Sequence, residues 1–134
     1  MEQQLNLFQP DMVDDVYKFN KEIIKTEECK TSKVLNRERL LFALTAMYEE
    51  LHEFTVANNS NNIGEALDAM IDLIYFALGR CYEMGISKEQ FYSCWKIVQE
   101  KNMQKTLGKK NRGTDVDAVK PEGWAAADLN EVLK

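Results

Sequence analysis

The chain has 134 residues, with 22 Asp or Glu and 17 Lys or Arg, so its formal net charge at pH 7 is −5. This excess of acid argues against a nucleic-acid-binding surface, which needs clustered Lys and Arg to neutralise phosphates. No apolar run reaches bilayer length, and residues 1–11 are too polar for a signal peptide. Three widely spaced cysteines without a Cys-x-x-Cys pair are typical of reduced cytosolic thiols. We therefore expect one cytoplasmic domain with no membrane or nucleic-acid partner.

Four helical segments are predicted from apolar residues that recur every three or four positions. They cover approximately residues 11–25, 36–57, 62–85 and 87–107. Asn62 with Glu65, and Ser87 with Gln90, have the spacing of a capping box at the start of the last two. Short connections between long helices favour antiparallel packing. The sequence thus predicts an all-α fold, an antiparallel four-helix bundle over about residues 10–107.

The remaining residues, about 108–134, are rich in charge and turn formers, so we expect an irregular C-terminal arm in the same domain. The Pro-Glu-Gly-Trp sequence at 121–124 predicts a turn, after which Trp124 would hold the arm on the bundle. A short last helix is expected near residues 127–129. The fourth helix should bury its apolar side chains, which are Phe91, Cys94, Trp95 and Val98.

The second and third helices carry acids inside strongly apolar sequence. At about 100° per residue these acids fall on one arc of each helix. The two acid stripes are Glu49, Glu50 and Glu53 on the second helix, and Glu65, Asp68 and Asp72 on the third. Leu, Met, Ile and Phe surround both stripes, which is the pattern of a helix buried on all sides. Because buried carboxylates without partners are costly, a cation is expected between the stripes.

The ligand chemistry indicates which cation this is. The acids are hard oxygen donors, and the chain contains one histidine, His52, so Mg²⁺ or Mn²⁺ is favoured over zinc or copper. Such sites leave positions for water and substrate phosphates. Glu49 and His52 form the Glu-x-x-His pair of di-iron bundles, but those need a second such pair. A di-iron centre is therefore disfavoured, and His52 should lie at the edge of its stripe, hydrogen-bonded or exposed. Glu65 has the capping box as an alternative, structural role.

Basic residues close the fourth helix. Lys101 and Lys105 lie one turn apart beside Asn102. Lysines in a last turn complement the helix dipole, which is one explanation for them. Next to a site of acids and metal, the same residues become candidates for binding phosphate oxygens. Both explanations stand at this point.

Aromatic and amide side chains on the first and third helices could contact a nucleobase. Asn20 can act as both donor and acceptor at a base edge, although a solvated polar residue is an equal alternative. Phe19 precedes it, and Tyr75 lies about one turn beyond Asp72. Either aromatic could clamp a base, while a core position is the simpler role for Phe19.

Several of these residues together resemble a known family. Glu50-x-x-Glu53, followed by Glu65-x-x-Asp68, is similar to the acid motifs of the MazG-like, all-α nucleoside triphosphate pyrophosphatases, especially small bacterial and phage members related to dimeric dUTPases. Similar elements lie elsewhere in the chain. They are Phe19-Asn20, Asp72-Leu73-Ile74-Tyr75 with Gly79, Asn102-Met103-Gln104-Lys105, and Lys120-Pro121-Glu122-Gly123-Trp124. The resemblance covers nearly the whole chain, but the family often has His at the position of Asn20.

The resemblance implies a Mg²⁺-dependent nucleoside triphosphate diphosphohydrolase that converts a (d)NTP and water to a (d)NMP and pyrophosphate. It implies dUTP as the default substrate, with dGTP or another dNTP as alternatives, in a bacterial or phage-infected cell. Two or three Mg²⁺ ions, or Mn²⁺, would be held at each site. The implied ligands are Glu50, Glu53, Glu65 and Asp68, with Asp72 outside the four-acid motif as a further ligand, an outer acid or a salt-bridge partner.

Further roles follow from the same resemblance. Glu49 would orient or deprotonate the attacking water, and Lys101, Asn102 and Lys105 would bind phosphate oxygens. Self-association as a homodimer or homotetramer is expected. The alternative function is a non-catalytic helical module that a metal stabilises and that serves in binding or assembly. Pyrophosphate release from a panel of dNTPs distinguishes the two.

Overall fold

The computed structural model describes residues 9–110 and 112–134. The expectation that the chain starts without a signal peptide falls mostly on residues 1–8, outside the described residues. By its contacts the chain forms two compact units, one ending at Ile86 and one beginning at Ser87. A single domain stays a prediction. In the described part of the chain, no helix has the length and apolar character needed to cross a membrane; a cytoplasmic location also stays a prediction.

The all-α class is confirmed. Within the described residues there are four main helices, one short 3-10 helix and one two-stranded sheet. The helices are α1 (Met12–Phe19, extended by a π-helical turn at Asn20–Ile24), α2 (Arg37–Asn59), α3 (Ile63–Glu83) and α4 (Lys88–Asn102). The strands β1 (Thr106–Gly108) and β2 (Asp117–Val119) are antiparallel, and the 3-10 helix is Leu129–Glu131.

Side-chain caps set the helix starts where the sequence predicts them. The Asn62 side chain accepts from the Glu65 N–H at 3.1 Å and begins α3. At α4 the predicted capping box is complete, because Ser87 and Gln90 each accept the other's backbone N–H. The predicted end of α4 is wrong. The helix stops at Asn102, and residues 106–108 pair with β2 instead of continuing it.

In the first unit, α2 and α3 are joined by residues 60–62 and pack against each other as an antiparallel pair. Small side chains form their contact, which lets the two backbones come close together. This alanine seam consists of Ala43, Ala46 and Ala57 of α2 with Ala66 and Ala69 of α3, all buried. Helix α1 packs on α3 and buries Val13 and Val16, each 2% exposed.

Neither α2 nor α3 is buried on all sides, so that expectation is wrong for the single chain. Each helix buries its alanine-bearing face and exposes a second apolar face. The largest exposed apolar side chains on the two helices include Leu41, Leu44, Leu51, Leu67 and Ile71, with exposures between 43% and 58%. The prediction of burial on all sides fails for these helices because both faces are apolar and the described residues of the unit cover only one of them.

The second unit consists of α4, the small sheet and the 3-10 helix. Trp95 is 62% exposed and Val98 39% exposed, so the expected burial of these side chains is wrong, while Phe91 and Cys94 are half-buried. Trp124 does hold the arm: its indole N–H donates to the Lys101 carbonyl at 2.9 Å. The anchor point is therefore the end of α4. The short last helix is present as the 3-10 helix.

Candidate functional site

Acids interrupt the alanine seam of the first unit. Along α2, Ala43, Ala46, Glu50, Glu53 and Ala57 recur at intervals of three and four residues, so they share the face that α2 turns to α3. The two glutamates therefore take positions that alanines occupy on either side. Short side chains above and below bring the α3 backbone close to them.

Four carboxylates face one another at this interruption. Burial raises the pKa of Glu50, and the negative charges of Glu53, Asp72 and Asp68 raise it further. The pKa of Asp72 is also raised, first by burial and then by Asp68 and Glu53. Such mutual shifts require the charges to be neighbours. We call Glu50, Glu53, Asp68 and Asp72 the acid cluster.

One oxygen atom of the acid cluster lacks, within the described residues, the hydrogen-bond partner that a buried polar atom normally has. Among residues 9–110 and 112–134, the Oε2 atom of Glu50 is buried and has no hydrogen-bond partner. Buried carboxylate oxygens are almost always hydrogen-bonded or bound to a cation. A hard cation fits this oxygen and its acidic neighbours.

The acids are less buried than the sequence suggests. Glu50 and Asp72 are half-buried, whereas Glu49, Glu53, Glu65 and Asp68 are exposed. This corrects the expectation that both stripes are shielded from water. No group of three or more His, Cys, Asp or Glu side chains within the described residues is arranged to hold a metal ion. The acids thus share one region without converging on a point, and the Mg²⁺ site stays a prediction.

Glu65 and Glu49 lie beside the acid cluster on the surface. Glu65 borders a shallow depression together with Glu53 and Asp68. Its alternative capping role is disfavoured, because the Asn62 N–H that a capping box would bind donates to the Ala57 carbonyl at 2.9 Å. Glu49 borders a neighbouring depression with Glu53 and His52. His52 is exposed, one of the two outcomes expected for it.

A cavity of about 500 Å³ extends from the acid cluster between the helices of the first unit. Four of its ten lining residues are aromatic and five are polar or charged, so the cavity offers both flat apolar surface and polar groups to a small organic ligand. The lining residues that the sequence singled out are Phe19, Asn20, Glu50, Asp72 and Tyr75. The ring of Phe19 meets that of Tyr75 edge-to-face at 5.3 Å between centroids, and Phe19 is 37% exposed. Phe19 therefore borders the cavity and is not a core residue.

Asn20 is buried, at 4% exposure, so the solvated alternative is wrong. Its Nδ2 donates to the Val16 carbonyl at 2.9 Å. The helix widens from α to π at this residue, a change often found at functional sites. Gly79 of α3 makes room for the amide, because a Cβ there would lie 3.1 Å from Nδ2 and 3.4 Å from Oδ1. Two helices thus fix the Asn20 side chain at the cavity wall.

Comparison with known proteins assigns this arrangement to a family. The profile of the phosphoribosyl-ATP pyrophosphohydrolase family matches residues 16–102, which include all of α2, α3 and α4. The chain belongs to this family. It is part of the MazG-like all-α superfamily of nucleoside triphosphate pyrophosphohydrolases, so the resemblance seen in the sequence is confirmed at that level. Membership points to nucleotide pyrophosphohydrolase activity. No curated protein matches the chain.

The phosphate-binding residues predicted by resemblance lie in the second unit. Lys101 and Lys105 are half-buried and Asn102 is exposed. The Lys105 ammonium stands 5.2 Å from the centroid of the Trp124 ring, and the Lys101 carbonyl accepts the indole N–H. Lys101 and Lys105 are thus part of the contact that holds the arm. Their role toward phosphate stays a prediction for this pyrophosphohydrolase family member.

Sequence reasoning missed a basic cluster at the same cavity. Arg80 of α3 is 9% exposed, and its Nη2 lies 3.0 Å from Glu83 Oε1. Arg39 of α2 pairs with the same carboxylate, its Nε donating to Oε2 at 3.1 Å. Both arginines border the cavity. The guanidinium carbon of Arg39 lies 4.3 Å from the centroid of the Phe42 ring, and that of Arg80 lies 5.0 Å from it. The signal was available: Arg80 is the one basic residue in the apolar α3 sequence.

Proposed function

We propose that this family member is a Mg²⁺-dependent nucleoside triphosphate diphosphohydrolase that cleaves the bond between the α and β phosphates and releases pyrophosphate. The observation that carries the proposal is the acid cluster at the mouth of an aromatic cavity, with a buried Glu50 oxygen that has no partner in the described residues. A nucleotide suits a cavity with aromatic walls beside an acid cluster, since its base is flat and apolar while its phosphates need cations.

The residues that would hold Mg²⁺, or Mn²⁺, are the acid cluster and Glu65, with two or three ions at each site. The bound ion supplies positive charge that acidifies water and offsets the charge of the departing pyrophosphate. Glu65 and Asp68 border the same depression as Glu53, so these three acids lie near one another on the surface. Glu50 and Asp72 extend the group toward the cavity.

The cavity would receive the base and sugar. Phe19 and Tyr75 offer ring edges and faces, and the Asn20 amide is held at the wall by Val16 and Gly79. We propose dUTP as the default substrate, following the resemblance to the relatives of dimeric dUTPases, with dGTP or another dNTP as alternatives. The family's name adds phosphoribosyl-ATP as a compound to be tested.

Attack on the α-phosphorus requires an oriented water, and Glu49 is proposed to orient or deprotonate it. Glu49 borders a depression that it shares with Glu53, so it lies next to the acid cluster without being buried in it. That position suits a base that must exchange protons with solvent. Lys101, Asn102 and Lys105 are proposed to bind phosphate oxygens.

We also propose that the protein self-associates as a homodimer or homotetramer. Leucine and isoleucine side chains cover the outer faces of α2 and α3, and contiguous apolar surface of this kind marks interaction sites. A second copy would cover it with identical apolar side chains. Sedimentation equilibrium of the purified chain measures the assembly directly.

Pyrophosphate release from the four standard dNTPs, dUTP and phosphoribosyl-ATP in Mg²⁺ tests the activity. We expect release from at least one of them, and loss of turnover by at least about a hundredfold in Glu53→Ala and Asp68→Ala with helicity unchanged. Glu100→Ala, at an exposed acid of α4, is the control and should keep full activity. A folded protein that releases pyrophosphate from none of these compounds refutes the proposal and favours the non-catalytic module.

A further inference from the structure

Arg80 is a buried guanidinium with donors that nothing in the described chain satisfies. Its Nη2 pairs with Glu83, but its Nε and Nη1 atoms are buried and have no hydrogen-bond partner among residues 9–110 and 112–134. Burial lowers the pKa of Arg80, which is the direction expected for a cation removed from water. Unsatisfied donors on a buried cation are rare and normally reflect a bound water, ion or ligand, or a strained site.

Glu83 cannot supply the missing contacts. Both of its oxygens already accept from Arg39, and Oε1 also faces Arg80. Two guanidinium groups thus share one carboxylate, which leaves an excess of positive charge at this end of the cavity. The ring of Phe42 lies close to both cations and offers its face, but no acceptor oxygen.

The positive end and the acid cluster belong to different parts of one cavity. Its lining includes Arg80 and Arg39 as well as Glu50 and Asp72. The charges that shift the pKa of Arg80 are those of Glu83, Arg39 and Cys81, whereas Glu50 responds to Glu53, Asp72 and Asp68. Arg80 and Glu50 are therefore affected by different sets of charged neighbours. A ligand that spans the cavity meets the side chains of Glu50 and Asp72 at one end and those of Arg80 and Arg39 at the other.

We propose that Arg80 determines base specificity by donating hydrogen bonds to the carbonyl oxygen at C4 of a pyrimidine or at C6 of a purine, which makes uracil, thymine or guanine nucleotides the preferred class. This inference rests on the proposed function and deepens it. An arginine side chain offers donors and no acceptor. The amino group of cytosine or adenine would set N–H against N–H, and burial makes that mismatch expensive.

A phosphate is the other common partner of arginine, but the surroundings favour a base. Phe19, Tyr75 and Phe76 line the same cavity and suit a flat ring. Glu50 and Asp72 in its wall would repel an anion that entered without cations. The acids are thus suited to the phosphate end of the substrate, and Arg80 to the base.

The ratio of kcat/KM within matched base pairs tests this specificity, because a ratio does not depend on the fraction of folded enzyme. For wild type we expect dUTP over dCTP, or dGTP over dATP, to exceed about tenfold. Arg80→Gln supplies an acceptor as well as a donor, so the ratio should fall to within about threefold of one. Arg80→Lys keeps the charge and serves as the second variant should the first misfold.

Glu83→Gln is the matched control, since it weakens the same ion pair without belonging to the cavity wall. It should lower the thermal midpoint and leave the base ratio unchanged. Equal use of keto and amino bases by wild type, a preference for amino bases, or a ratio that Arg80→Gln and Arg80→Lys leave intact would overturn the inference while the hydrolase activity stands.

Equilibrium binding separates this inference from the proposed function. The non-hydrolysable α,β-imido analogues of dUTP, dCTP, dGTP and dATP, titrated calorimetrically with Mg²⁺, should show the same keto preference and the same loss in Arg80→Gln. Keto-selective binding without hydrolysis of any dNTP would support the specificity role and reject the proposed activity. Absence of binding by all four analogues would overturn the role of Arg80 itself.

Discussion

Replacing Glu50 by Gln should stabilise the metal-free protein while removing most of the stabilisation by Mg²⁺. The carboxylate at this position is half-buried, has one oxygen without a partner in the described residues, and is surrounded by Glu53, Asp68 and Asp72. An amide of nearly the same shape carries no charge. The substitution therefore removes repulsion without leaving a cavity.

The size of the effect follows from the charges around Glu50. Repulsion between like charges a few ångströms apart in partly solvated surroundings is on the order of 1 kcal/mol, and the amide removes this repulsion between Glu50 and its acidic neighbours. We expect the free energy of unfolding to rise by about 1 kcal/mol, which corresponds to about 3–5 °C in Tm for a chain of this size. Mg²⁺ at ten times its Kd should stabilise wild type by about 1.4 kcal/mol. The variant should gain much less.

The pH dependence has a definite sign. Burial and neighbouring charges raise the pKa of Glu50 and Asp72 in the folded chain above their values in the unfolded chain. The folded state therefore binds more protons, and its stability falls as pH rises from about 4 through the folded-state pKa values. The advantage of Glu50→Gln over metal-free wild type should grow across that interval and then level off.

Thermal unfolding followed by circular dichroism, with and without Mg²⁺, measures all three quantities. Glu49→Gln is the control, because it makes the same change at the adjacent, exposed residue, where the metal-free Tm should stay within about 1 °C of wild type. A metal-free Tm that falls in Glu50→Gln, or an equal Mg²⁺ response in both proteins, would refute the assignment of Glu50 to a cation site.

Three further changes test other parts of the structure. Gly79→Ala should push the Asn20 amide, 3.1 Å from the new Cβ, and raise nucleotide KM severalfold with little loss of Tm, measured by steady-state kinetics and melting. Leu44→Lys, on the exposed apolar face of α2, should shift sedimentation equilibrium toward the monomer. Trp124→Phe loses the hydrogen bond to the Lys101 carbonyl, so it should cost about 1 kcal/mol and speed proteolysis of the arm; unchanged cleavage would contradict the anchor.

Helix positions and starts were predictable because they depend on local chemistry. Asn62 and Ser87 cap the helices they were expected to cap, and the Trp124 anchor forms after the predicted turn. The acids were found by the same local reasoning, since a charged residue within apolar sequence needs an explanation. The charge of Asp72 on α3 is among those that raise the pKa of Glu50 on α2, while the assignment of these acids to a metal site stays a prediction.

Contacts between residues that are far apart in the sequence were harder to predict. The apolar content of α2 and α3 predicted burial on all sides, but periodicity cannot say whether the partner of an apolar face lies in the same chain. The choice between a solvated and a buried Asn20 stayed open because it depends on Gly79, 59 positions away. The pairing of Arg39 with Glu83 likewise spans 44 residues. In each case the deciding neighbour is remote in sequence.

The alanine seam has a consequence for attempts to engineer this protein. Because Ala46, Ala57 and Ala69 are buried and carry only methyl groups, a larger side chain at these positions would widen the separation of the two helices and with it the spacing of the carboxylates between them. A valine at Ala69 would add buried hydrocarbon yet wedge the axes apart. Catalytic activity and cation affinity should therefore decline in variants of the alanine seam even where the melting temperature stays close to that of wild type.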